Sequence, residues 1–135
     1  MVSCEVCGKS FQPRTATHVS CSLACRQEKS RRIWRQTNPE REDTAKLNSG
    51  KVGAMHEMLV CCDLLKKGYD VFRAVSQSSS CDMVVLKEGK VIRVEVTTGG
   101  FTATGKVTHP SKDFSRFDLL AIVLHTGEIR YSQEI

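Results

Sequence analysis

Four of the seven cysteines stand in two close pairs, Cys4-x2-Cys7 and, thirteen residues on, Cys21-x3-Cys25. Two pairs of soft thiolates at that spacing suit a tetrahedral Zn²⁺: each pair spans neighbouring corners, and the loop between them closes the shell. The first pair runs on as Cys-Gly-Lys, the tight turn of a knuckle, and the second, Cys-Ser-Leu-Ala-Cys-Arg, reads as the first turn of a helix. Because four cysteines complete the shell, His18 is only a substitute ligand. Residues 1–36 have too few apolar side chains to fold unaided, so one structural Zn²⁺ is expected to supply the folding free energy.

A second set of residues suits harder chemistry. In the stretch from Cys81 to Glu95, a two-residue turn at Glu88-Gly89 makes Lys87 face Lys90 and puts Asp82 directly across from Glu95. Like charges opposite each other destabilise a sheet, whereas Mg²⁺ or Mn²⁺ turns the same pair into an oxygen cage. The geometry depends on register, since a one-residue slip sends one acid to the other face. Glu57, three residues after Ala54 and four before Cys61, lies within or beside the apolar stripe of a helix. Alone it reads as a glutamate favoured by the helix dipole; beside Asp82 and Glu95 a metal-site role is the better reading.

The elements that must position these groups follow from periodicity. A helix is expected from Lys51 to about Lys67, with apolar or small residues at 54, 58, 61, 64 and 65 and a stop at Gly68. Strands are expected at Tyr69 to Val75, Asp82 to Lys87, Val91 to Thr98, Leu119 to Leu124 and Ile129 to Tyr131, with a short helix at 111–117 after Pro110. The chain thus reads as a zinc finger with a basic helix at 1–36, a polar linker at 37–50 and an α/β or α+β body at 51–135.

The 135 residues carry a net charge of +5. All of it lies in residues 1–36, where Lys9, Arg14, Arg26, Lys29, Arg31, Arg32 and Arg35 face only Glu5 and Glu28; the other 99 residues sum to zero. A cationic head suits a polyanionic partner, because lysines and arginines gain by releasing counterions from phosphates. Arg26, Lys29, Arg31, Arg32 and Arg35 are the expected nucleic-acid contacts, with Trp34 packing into the structure. The longest apolar run is the six residues Leu119 to Leu124, against roughly 20 for a membrane span. The N-terminal residues show no basic leader or apolar stretch, and an odd cysteine count argues against a disulfide framework, so a cytoplasmic protein is expected. Cys61, Cys62 and Cys81 are expected as small buried hydrophobes.

Two resemblances give these residues a setting. Cys-x2-Cys-Gly-Lys-x-Phe followed by Cys-Ser-x2-Cys-Arg resembles the treble-clef-like zinc fingers attached to bacterial and phage nucleic-acid enzymes. Gly53-Ala-Met-His-Glu57, then Leu-Leu-Lys-Lys-Gly-Tyr-Asp-Val, Cys81-Asp82-Met-Val-Val and Arg93-Val-Glu95-Val-Thr97 resemble the PD-(D/E)xK nuclease superfamily, especially its small resolvase-like and phage-type members. That resemblance implies a restriction-endonuclease-like αβββαβ core, with its second helix in the connection after residue 99. It also implies metal-dependent hydrolysis of phosphodiester bonds in DNA. Asp82 and Glu95 would bind Mg²⁺ directly with the Val96 carbonyl, Glu57 would hold a coordinated water or a second ion, and the metal would acidify the water and neutralise the phosphate.

Two positions depart from the family. Cys81 stands where proline is usual, at a position that shapes the strand entry and binds nothing. Thr97 stands where the family has a lysine that orients the water and offsets charge; its hydroxyl can position a water but carries no charge. Lys51, Lys106 or Lys112 could supply the missing cation, and His56 and His109 are weaker candidates. Three readings follow: a nuclease, dimeric if it cuts both strands of a duplex; a nuclease fold that binds nucleic acid without cutting; or a body that a protein-docking finger recruits to a complex.

Overall fold

The computed structural model describes residues 1–40, 44 and 46–135. They form two compact units, Met1–Pro39 with Phe101–Lys106, and Glu40–Gly100 with Val107–Ile135. The linker expected at 37–50 falls partly on residues 41–43 and 45, outside the described residues.

In the first unit, strands β1 (Val2–Ser3) and β2 (Ser10–Phe11) pair antiparallel around the turn that holds Cys4 and Cys7. The Gly8 amide closes that turn on the Cys4 carbonyl, with Gly8 at φ +73. Helix α1 (Leu23–Thr37) begins where the Ser22 side chain accepts the Cys25 amide, an N-cap that fixes Cys25 in the first turn. None of its residues is buried. Trp34, expected to pack, is 45% exposed; a helix of mostly charged and polar residues offers no apolar stripe to carry the ring inward. At the end of α1, buried Asn38 donates to the Phe101 carbonyl and accepts the Phe101 amide, which joins residues 101–106 to this unit.

The second unit is α+β, as expected: one helix covers a five-stranded mixed sheet. Helix α2 (Ser49–Lys66) is capped by the Asn48 side chain, which accepts the Lys51 amide at 3.0 Å. It ends where Gly68, at φ +85, and Tyr69 return their amides to the carbonyls of Leu65 and Leu64. Strands β3 (Asp70–Arg73), β4 (Met83–Lys87), β5 (Lys90–Thr98), β8 (Leu119–Val123) and β9 (Ile129–Tyr131) lie side by side in that order, with β5 and β8 parallel and the other pairs antiparallel. Val60 and Leu64 of α2 pack with Met83, Val85, Val94, Leu119, Ala121 and Val123 as the core. Strand β8 is buried along its whole length, as a parallel strand covered on both faces should be. Among the described residues, no helix is long and apolar enough to cross a membrane.

Three expectations are corrected. The buried face of α2 runs through His56, Val60 and Leu64, while Ala54, Met58 and Leu65 of the expected stripe are exposed. The helix is apolar almost all round, so periodicity could not choose its face. Cys62, on the outer side, is exposed; Cys61 is half-buried and Cys81 buried. No helix forms at 111–117. The connection holds a short ribbon, β6 (Gly100–Phe101) with β7 (Val107–Thr108), and then a turn in which Asp113 takes both the amide and the hydroxyl of Ser115. A side chain that captures a nearby amide competes with helix formation. The Arg93 guanidinium and amide then hold Asp118 at the entrance to β8.

Two stability predictions follow. A Cβ on Gly99 would lie 2.3 Å from Ile122 Cγ2 and 3.0 Å from the Thr108 carbonyl oxygen. Gly99→Ala is therefore expected to cost about 2 kcal/mol in urea unfolding, as overpacking does. Hydrogen bonds from the Arg93 side chain hold the Asp118 carboxyl down at about 2. Its contribution is present above the ordinary carboxylate pKa of roughly 3.9 and is lost as pH falls through the folded value. Thermal melts should show Asp118→Asn less stable than the parent at pH 7, with the gap closing near pH 2.

Candidate functional site

In the first unit, Cys4, Cys7, Cys21 and Cys25 bring their sulfurs within 4.8 Å of one another. The cluster could hold a metal ion. Cys7 Sγ lies 3.4 Å from Cys21 Sγ, which lies 3.7 Å from Cys25 Sγ. A tetrahedral ion with metal–sulfur bonds of about 2.3 Å imposes sulfur separations of about 3.8 Å, so the donor set fits. The Cys21 amide donates to Cys4 Sγ and pulls that thiol down to about 6, while the crowded thiols of Cys7 and Cys25 push Cys21 up to about 12. His18 stands outside the shell: its Nδ1 accepts the Arg14 amide, and its ring meets Phe11 edge-on.

In the second unit, a cleft of about 210 Å³ is lined by Gly53, His56, Glu57, Asp82, Glu95, Val96, Thr97, Thr98 and Lys112. The hairpin has the expected register, Lys87 facing Lys90 and Met83 facing Val94, so Asp82 leaves the ladder one residue before Met83 and Glu95 continues in β5. Glu57 comes from α2. Thr97 is buried at 8% exposure. The small cleft shares Gly53, Glu57 and Asp82 with a larger one of about 480 Å³ beside residues 73–77, and Glu95 and Lys112 with one of about 210 Å³ lined also by Ser80, Ser111 and Arg116.

The three carboxylates line one space, but each has its own partner. Asp82 Oδ2 accepts the Val96 amide at 2.7 Å, Glu57 Oε2 pairs with Arg73 at 2.6 Å, and Glu95 Oε1 pairs with Lys112 at 2.9 Å. Among the described residues, the four cysteines are the one group of three or more metal-ligating side chains drawn within 4.8 Å. Each carboxylate keeps a second oxygen, and a hard ion such as Mg²⁺ takes one or two carboxylates with water completing its shell, so these donors are of the right chemistry. Arg73 was not singled out in the sequence. Its signal was its place at the end of the strand beside Asp82, where the Ala74 amide meets the Asp82 carbonyl. Of the candidate cations, Lys112 lines the cleft, Lys51 is exposed at the start of α2, and Lys106 belongs to the first unit. His56 is buried against the Thr98 hydroxyl at 2.8 Å, and His109 bonds the Pro110 carbonyl.

On α1 the basic residues are not equivalent. Lys29 pairs with Glu5, and Arg31 and Arg32 both approach Glu28, at 4.0 and 3.3 Å. Arg26 and Arg35 have no acidic partner among the described residues.

No family model matches the chain, and no curated protein shows significant similarity to it. Among solved structures, the bacterial homing endonuclease I-Ssp6803I is similar at 17% identity, over 65% of this chain and 80% of that chain, with a TM-score of 0.45.

The sulfur cluster yields a direct test. Titrating the chain with Co²⁺ should produce thiolate-to-metal absorption and the visible bands of a tetrahedral ion, and Cys25→Ser should weaken them. Binding should weaken between pH 7.5 and 5.5, because protons compete for the thiolates. A spectrum unchanged by Cys25→Ser would exclude this cluster as the metal site.

Proposed function

We propose that the second unit is a divalent-metal-dependent nuclease that hydrolyses phosphodiester bonds in DNA, and that the first is a head held together by Zn²⁺ that binds nucleic acid. The observation that carries the nuclease reading is the cleft shared by Glu57, Asp82, Glu95, Thr97 and Lys112. These residues come from helix α2, the entry to β4, strand β5 and the connection before β8, and such convergence of acids with one cation is what phosphodiester hydrolysis needs.

Bound Mg²⁺ or Mn²⁺ would supply neutralisation of the phosphate and an acidified water. The free oxygens of Asp82 and Glu95, with the Val96 carbonyl, would hold the ion. Glu57, steadied by Arg73, would take a second ion or a water. The Thr97 hydroxyl would orient the attacking water. Lys112, already 2.9 Å from Glu95, would place its ammonium beside the phosphate oxygens as they gain charge and so stand in for the lysine that Thr97 replaces. Cutting both strands of a duplex would take two copies of the site.

A second reading has its own support. Because every acid in the cleft already meets a cation or an amide, the same residues could stabilise a nucleic-acid-binding module that does not cut. Incubation of labelled DNA with Mg²⁺ or Mn²⁺ separates the two. Cleavage is expected, and Asp82→Ala should abolish it. Lys112→Ala should slow it by about 10²–10³, as loss of one charge-stabilising donor does, and Thr97→Lys in that background should restore part of the rate. Binding without cleavage, in the parent chain and with either metal, would establish the second reading.

A further inference from the structure

We propose that a DNA strand is held by the first unit in a cleft between residues 14–20 and α1, with a phosphate between Arg14 and Arg26, and not along the outer face of α1. This deepens the nucleic-acid-binding reading of the head and rests on it. The cleft measures about 490 Å³, and its lining includes Arg14, His18, Val19, Arg26, Ser30 and Ile33. That volume lies within the roughly 300–1,000 Å³ of sites that enclose a small ligand, so it takes a nucleotide unit rather than a bare ion.

Three observations favour this place. Charge comes first: Arg14 and Arg26, two cations without an acidic partner among the described residues, line one cleft, whereas on the rest of α1 Arg31 and Arg32 share Glu28 and Arg35 stands alone. A guanidinium without a carboxylate keeps its full attraction for a phosphate and can meet it with two parallel hydrogen bonds. Next, the loop that carries Arg14 is built. The Arg14 amide donates to His18 Nδ1, the His18 amide returns to the Thr15 carbonyl, and Thr15 and Thr17 join their hydroxyls. Arg14 is therefore presented from an ordered turn and loses less freedom on binding. Finally, the lining is mixed. Cations and hydroxyls suit the phosphate and sugar, while Val19, Ile33 and the His18 ring offer an apolar surface to a base, the combination by which proteins hold single strands.

Binding of the full chain to fluorescein-labelled single-stranded and duplex DNA, followed by anisotropy across a salt series, tests this. An Asp82→Ala background removes cleavage, so the outcome is independent of the nuclease reading. Arg14→Ser with Arg26→Gln is expected to weaken binding about tenfold and to lower the salt slope on duplex by about 1, for the one phosphate the pair holds. Arg31→Gln with Arg32→Gln should change both far less. Ser30→Asp, which leaves both arginines in place, should weaken binding by putting a negative charge in the cleft. Circular dichroism would confirm that each variant is folded. Full binding by the Arg14/Arg26 variant, with the loss in the Arg31/Arg32 variant, would move the site to the outer face and overturn the proposal. No DNA binding by the parent, or binding of thymidine monophosphate alone, would overturn it as well. Cleavage by a parent chain whose binding ignores Arg14 and Arg26 would leave the nuclease reading standing without this site.

Discussion

The body of this protein depends on a tight reversal of chain at Glu88-Gly89. Both residues have positive φ, +50 and +77, and a two-residue hairpin of that hand matches the twist of the strands it joins. With the turn set, Lys87 meets Lys90 and the pairing is determined back to Met83 and Val94. Asp82 then falls where the Val96 amide can reach it, and Glu95 falls on the strand beside Thr97. A slip of one residue would send these side chains to the opposite face. The parallel pairing of β5 with β8 extends the same frame, and Gly99 lets β5 leave the sheet against Ile122, where a side chain would not fit.

Bringing acids together has an electrostatic cost, and the chain offsets it piece by piece. Arg73 meets Glu57, the Val96 amide meets Asp82, and Lys112 meets Glu95. Each bond uses one oxygen and leaves the other available. Positive charge is thus supplied by the protein itself at the rim of a small space. Lys112 arrives there because residues 111–118 form a turn instead of a helix, drawn in by Asp113 with Ser115 and by Arg93 with Asp118.

The head is organised on a different principle. Helix α1 buries none of its fifteen residues, so hydrophobic packing contributes little and the four thiols form the centre. The Cys21 amide favours the thiolate at Cys4, while crowding by Cys7 and Cys25 keeps the proton on Cys21, a crowding that one cation shared by all four sulfurs would relieve. Metal binding to such a cluster is folding free energy.

Much of the local structure was legible. Gly68 ends α2, the Cys21–Cys25 segment opens α1, and strand positions and hairpin register follow from alternation and from the glycine turn, because each signal acts over a few residues through hydrogen bonds and φ preferences; the Asn48 cap that starts α2 two residues before Lys51 was not read. The cysteine spacing likewise pointed to the sulfur cluster. What the tertiary structure alone decided are matters of long-range contact. A helix apolar on nearly every side does not say which face is covered, so His56 inside and Met58 outside emerged only once the sheet was in place. The Asp113 turn, the arrival of Lys112 at Glu95 and the pairing of Arg73 with Glu57 depend on chain segments that meet across the fold, which no local periodicity records. The residue types and most of their local frames could be read from the sequence; which charges neighbour which was settled by how the strands and the connection fold back on one another.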